Sequence, residues 1–80
     1  MFLEIITPSK KVFAGEVTLV QLPGTKGSFA VLENHAPLIS TLEAGKIKVV
    51  EKGDQVSFFD IDGGVVEVKH NKIIVLTESA

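Results

Sequence analysis

The sequence predicts an all-β fold, a small sandwich or barrel of short strands. Three features predict it. The apolar fraction of 45% comes mostly from Val, Ile, Leu and Phe, the residues that suit a pleated, half-buried surface. Turn signals recur about every 8–12 residues, the spacing of a compact sandwich or barrel. Helical periodicity is weak throughout, while several segments alternate apolar and polar residues with a period of two.

The strands follow in order as Phe2–Thr7, Lys11–Leu22, Ser28–Leu32, Pro37–Leu42, Lys46–Glu51, Gln55–Asp60, Val65–Lys69 and Lys72–Thr77. Between them lie Pro8-Ser9, Pro23-Gly24, Gly45, Gly53-Asp54, Asp62-Gly63-Gly64 and His70-Asn71. Each is a place where the backbone needs a fixed or positive φ. Gly15 interrupts the long second strand and marks an expected bulge or bend. Ile47 and Val49 face one way, and Lys46, Lys48 and Val50 the other. Val56 and Phe58 oppose Ser57 and Phe59, and Val66 and Val68 oppose Val65, Glu67 and Lys69. One face of each sheet is therefore buried. Ile73–Leu76 is apolar on both faces, which suits a central strand or one under a partner.

Composition removes several function classes. Eighty residues make one domain, 1–80, with a modest core. Without cysteine, no disulfide or thiolate metal site supports that core. Net charge is −2 and every cation is lysine, so the guanidinium forks that grip phosphate and guanine are missing. Nucleic acid is not the expected partner. No apolar run approaches the ~20 residues that span a bilayer, and Met1-Phe2-Leu3-Glu4 has no basic region of a signal peptide. Membrane association is expected only through a partner.

The motif search favours structure over catalysis. No Gly-x-Ser-x-Gly elbow exists to activate a serine, and His35 and His70 stand apart from any metal cluster. Asp60-x-Asp62-Gly63 resembles half of a calcium loop without its closing Glu, and reads better as turn-forming aspartates. Gly24-Thr25-Lys26-Gly27-Ser28 resembles a phosphate loop but leads into a strand, so no helix N-terminus can cradle an anion. It reads as a glycine-supported hairpin. Asn34-His35-Ala36-Pro37 is a turn leading into a strand, because Pro37 holds Ala36 extended. The expected sets of catalytic, metal and cofactor residues are empty. A free-standing β-sandwich module for carbohydrate or peptide is the alternative class. It would rely on exposed Trp and Tyr platforms, and the chain has neither.

An ordered set of motifs carries a family resemblance. It starts with Pro8 and Val12-Phe13-Ala14-Gly15-Glu16-Val17, then Leu22-Pro23-Gly24-x-x-Gly27, Leu32 and His35-Ala36-Pro37-Leu38. It continues with Leu42, Gly45, Gly63-Gly64-Val65-Val66-Glu67-Val68 and Val75-Leu76. The chain resembles the epsilon subunits of bacterial F-type ATP synthases, called delta in mitochondria. The resemblance covers essentially the whole sequence and implies a flattened β-sandwich. With the strands read above, that gives about 8–10 short, mostly antiparallel strands.

The resemblance also implies a role and partners. Such subunits are non-catalytic parts of the rotating central stalk, on the cytoplasmic face of the bacterial plasma membrane. They bind the gamma subunit and the ring of c subunits, and so couple proton or sodium flow to ATP synthesis. By the same resemblance, Gly24, Thr25, Lys26, Gly27, Ser28 and Phe29 contact the c ring. Thr7, His35, Ala36, Pro37 and Leu38 lie against gamma. Family members can be acidic where this chain has Ser28, so Lys26 is the expected charge at the ring contact. Many members continue into a helical hairpin that inhibits hydrolysis or binds ATP. With the closing strand at Ile73–Thr77, the expectation is neither hairpin inhibition nor a nucleotide site.

Overall fold

The computed structural model describes all 80 residues, Met1 to Ala80, and every regular element in it is a strand. The nine strands are β1 Phe2–Ile6, β2 Lys11–Glu16, β3 Leu19–Gly24, β4 Gly27–Leu32, β5 Leu38–Leu42, β6 Gly45–Glu51, β7 Gln55–Ile61, β8 Gly64–Lys69 and β9 Lys72–Leu76. They form one hydrogen-bonded sheet in the order β2-β1-β9-β8-β5-β3-β6-β7, with β4 paired to β3 beside that path. Only β1 and β9 run parallel. The sheet curls on itself until its two end strands meet. Phe13 of β2 and Phe59 of β7 contact edge to face, with ring centroids 5.6 Å apart. The result is the flattened, mostly antiparallel sandwich expected from the sequence, built by curling rather than by stacking two separate sheets.

Alternation places the core. Leu3 and Ile5, Val20 and Leu22, Ile47 and Val49, Val66 and Val68, and Ile73 and Val75 all point inward and are buried. Each such side chain contributes about 1.5–3 kcal/mol of transfer free energy, offset by the chain entropy that folding removes. β9 lies centrally, between β1 and β8, but only its inner face is buried: Ile73 and Val75 face the core, Ile74 is half-buried and Leu76 is exposed.

The long strand Lys11–Leu22 read from the sequence is two strands, β2 and β3. Its break is not at Gly15, which pairs regularly with Leu3 beneath the Phe13 ring. The break is at Val17-Thr18. Val17 N–H donates to Met1 O at 2.8 Å, and Thr18 N–H donates to Val50 O at 2.7 Å. The chain thus leaves β1 at Val17 and joins β6 from Thr18 on, and this change of partner divides β2 from β3. The bulge in β2 lies nearer its start, where Ile5 pairs with Phe13 but Ile6 pairs with Lys11.

Pro23-Gly24 ends β3 instead of forming a turn. One edge of β3 pairs with β4 along its whole length. The other pairs with β6 at Leu19–Gln21 and with β5 at Gly24. Pro23 sits where the second edge changes neighbour, a position where a missing N–H does no harm. Gly24 must lack a side chain. A Cβ there would stand 2.6 Å from Gly27 O and 2.8 Å from the Phe29 ring.

Gly64 opens β8 at φ 153°, and a Cβ there would stand 2.2 Å from Leu76 O. Gly53, at φ 84° in the β6–β7 turn, has open space around it. Gly64→Ala is therefore expected to cost roughly 3 kcal/mol or more, from backbone strain and collision together. Gly53→Ala should cost about 1 kcal/mol, from φ alone. Urea midpoints at unchanged m-value give the comparison. Equal shifts would show that β9 moves aside freely.

Candidate functional site

The hairpin β3–β4 closes with Gly24 opposite Gly27, which leaves Thr25 and Lys26 at its tip. The tip is tied sideways to β5. Thr25 N–H donates to Thr41 O at 3.1 Å, and the two threonine hydroxyls lie 2.7 Å apart. Below them Glu43 N–H donates to Pro23 O at 2.8 Å. These bonds hold the hairpin shoulder rigid while Lys26 extends into solvent with no carboxylate in ion-pair range. Ser28 is exposed, and its Oγ accepts a hydrogen bond from Gln21 Nε2 at 3.1 Å. Phe29 turns the other way and packs on the core. Of the six predicted residues, Thr25, Lys26, Gly27 and Ser28 face outward, whereas Gly24 is buried and Phe29 half-buried. Ile39, Ser40 and Thr41 join the hairpin around a shallow concavity of about 420 Å³.

His35–Leu38 lies at the opposite end of the barrel. Asn34 takes φ 61°, and His35 N–H donates to Leu32 O at 3.1 Å to close a turn after β4. His35 Nδ1 lies 2.9 Å from Ala36 O. With Nδ1 carrying the proton, Nε2 is left free to accept. Ala36 and Pro37 are exposed, and Leu38 is half-buried against the core. The preceding Glu33 joins a cluster of charges. Its Oε2 accepts from Asn71 Nδ2 at 2.7 Å, and its Oε1 lies 3.2 Å from the Met1 amine. The Asn71 hydrogen bond, then the amine, hold the Glu33 carboxyl below its ordinary value. Burial opposes the charge on the amine, yet Glu33 and Glu16 outweigh it and raise the amine's pKa.

Thr7 does not join His35. It ends β1 at the hairpin's end of the barrel and is buried. Its Oγ1 donates to Lys10 O at 3.1 Å and accepts from Lys10 N–H at 3.2 Å. Thr7 also lines an open groove of about 530 Å³ with Pro8, Asp62 and Thr77. Asp60 and Asp62, the half calcium loop, are split. Asp60 lies on β7 with Lys46 Nζ at 2.9 Å, and Asp62 sits in the turn beyond.

Sequence reading missed two apolar rows on the outside. Leu32, Leu19, Val50 and Val56 align across β4, β3, β6 and β7. Leu32 is 52% exposed and Val56 48%, so the row is open to solvent, with Phe58 beside it at 59%. Ile6, Leu76 and Val65 align across β1, β9 and β8 on the other layer. Leu32, Val56, Leu76 and Val65 are the exposed members, whereas Leu19, Val50 and Ile6 are half-buried. The signal in the sequence was the parity of Val50, which shares a face with Lys46 and Lys48.

Over residues 1–80 the chain matches the family described as ATP synthase, Delta/Epsilon chain, beta-sandwich domain. It is 45% identical over 76 residues to the ATP synthase epsilon chain of Chlorobium limicola, covering 95% of this chain and 86% of that one. With the epsilon chain of Caulobacter vibrioides the identity is 42% over 76 residues, covering 95% and 87%. With that of Pelotomaculum thermopropionicum it is 42% over 78 residues, covering 98% of this chain but 58% of the relative. A chain in the Euglena gracilis mitochondrial ATP synthase (OSCP, F1 and c-ring) superposes with a TM-score of 0.91 at 20% identity, covering 96% and 49%. A chain in the central stalk and c-ring of the Tetrahymena thermophila enzyme gives 0.81 at 18% identity, covering 96% and 62%. At these identities the two structures establish the fold. This chain spans about half to two thirds of their length.

Two carboxyls make the stability pH-dependent. Glu33 is one. Glu4 is the other: Lys11 Nζ at 2.6 Å, with Lys72 at 3.6 Å, holds it below its ordinary value. Both bind a proton less readily folded than unfolded. Their contribution is present above the unfolded carboxylate pKa, about 4.3, and is lost as pH falls through the depressed folded values. A Glu4→Gln/Glu33→Gln variant should therefore show a flatter loss of stability below about pH 5 in urea titrations. Slopes equal to the parent's would show that both carboxylates are spectators.

Proposed function

The chain belongs to the ATP synthase delta/epsilon β-sandwich family, and on that premise we propose that it is a non-catalytic subunit of the rotating central stalk of an F-type ATP synthase. It binds the gamma subunit and rests on the c ring. Ion flow, of protons or sodium, turns the ring, and this subunit helps carry the rotation towards ATP synthesis. It sits peripherally on the cytoplasmic face of the bacterial plasma membrane, held by the complex.

The observation that carries this reading is the separation of two exposed patches by one stiff barrel. The β3–β4 hairpin and the His35 loop stand at opposite ends of β3, β4 and β5, which are five or six residues long. That separates them by roughly 17–20 Å. Torque transfer needs such an arrangement, because a soft module would absorb rotation in its own loops. Gly24–Phe29 is the proposed foot on the ring. Thr25, Lys26, Gly27 and Ser28 make the contact, while Gly24 and Phe29 hold its shape. Lys26 has no internal partner and is free to pair with an acidic ring group.

His35, Ala36, Pro37 and Leu38 form the proposed grip on gamma. Thr7 lies buried at the foot end, so a gamma subunit alongside the strands would meet the groove that Thr7 lines at a second, separate point. The open row Leu32-Leu19-Val50-Val56 begins beside the grip and supplies the apolar area that docking requires.

Lys26→Glu should weaken docking to the c ring about 5–10-fold at low salt, and less at high salt, as for an exposed interfacial charge. Binding to isolated gamma should change by less than about twofold. Titrations against detergent-solubilised c ring and against gamma alone make the comparison. Equal loss against both would show that the two patches are not separate contacts.

A further inference from the structure

His70 and Asn71 form the turn between β8 and β9, inside the paired Lys69 and Lys72, with φ of 51° and 61°. Two left-handed residues in a two-residue hairpin turn are the type I′ geometry, which Asn and Gly both accept. The turn itself asks nothing of the Asn71 side chain. Yet both polar atoms of that side chain reach across to the loop after β4. Oδ1 accepts from Asn34 N–H at 2.9 Å, and Nδ2 donates to Glu33 Oε2 at 2.7 Å. Asn71 thus grips two consecutive residues, one by its backbone and one by its side chain. Asn34 is held in the left-handed region at φ 61°, and the next N–H closes the turn on Leu32 O at 3.1 Å. The direction in which His35 leaves the barrel follows from these bonds.

We propose that Asn71 is the positioning residue for the gamma-docking segment His35–Leu38, acting through Glu33 and Asn34. The proposal rests on the reading of that segment as the stalk contact. Asn71 pre-orders the loop, so its ordering entropy is already spent before gamma arrives. Without Asn71 the loop would have to be ordered during docking, and affinity would fall although no contact residue had changed.

Asn71→Gly tests this, because glycine keeps the turn and removes both hydrogen bonds. In the full 80-residue chain, hydrogen exchange at the Asn34 amide should rise by roughly tenfold or more. The Glu33 carboxyl, followed by NMR beside Glu16 and the Met1 amine, should titrate closer to its ordinary value. Affinity for purified gamma should drop about 5–20-fold, while Lys26-dependent docking to the c ring stays within about twofold. A merely structural role would instead lower the melting temperature and weaken both dockings together. Unchanged exchange at Asn34 would overturn the proposal. So would faster exchange with unchanged gamma affinity, provided that His35→Ala weakens gamma binding. If His35→Ala leaves gamma binding intact, the stalk-contact reading itself has failed, and the proposal falls with it.

Discussion

The structure depends on one strand edge that serves two neighbours. Along β3, the edge that pairs with β6 at Leu19–Gln21 meets β5 by Gly24. Beyond that shared edge β5 pairs with β8 and β6 with β7, so its two lengths lead into opposite halves of the sheet. The chain passes from one to the other at a corner, Glu43-Ala44, between β5 and β6. The corner is crowded. Gly24 lies against Gly27 O and the Phe29 ring, and Gly45 lies against Pro23. From it follow the curl of the sheet, the meeting of Phe13 with Phe59, and the enclosure of the core.

The same corner ties down the β3–β4 hairpin, with Glu43 N–H donating to Pro23 O. Its tip is bonded to β5 through Thr25 and Thr41. At the other end the His35 loop is tied to a different hairpin through Asn71. Each patch is therefore anchored by a segment distant in sequence, β5 for one and the β8–β9 turn for the other. Short loops and cross-ties leave few soft joints between the two ends. The proposed coupling role asks for such cross-ties between the two ends.

Much of the fold was legible in the residues. Period-two alternation at Ile47/Val49 and Val66/Val68 identified the buried face, because one pleat face must leave water. Most strand ends were found within a residue. The long second strand was misread because Lys11–Leu22 has no strong turn residue at its true break. Val17-Thr18 divides the strands through its backbone partners, Met1 O and Val50 O, which no local pattern announces. Gly15 pairs regularly with Leu3 within β2, so that glycine does not mark the break. The open apolar rows escaped for a related reason. Leu19, Leu32, Val50 and Val56 are unremarkable singly and become a surface only when four strands align them.

The sequence by itself determined the strand composition, the inward faces and the residues at both candidate patches. Those are local properties: propensity, period and turn chemistry act between residues a few positions apart. Tertiary structure alone decided how the patches relate. It set His35 and Lys26 at opposite ends and moved Thr7 to the foot end. It buried Gly24 and gave Asn71 a task in a loop 37 and 38 positions away along the chain. The reason is physical. Sheet register converts distant positions into neighbours through backbone hydrogen bonds, which are the same for every residue type and leave little trace in the side chains.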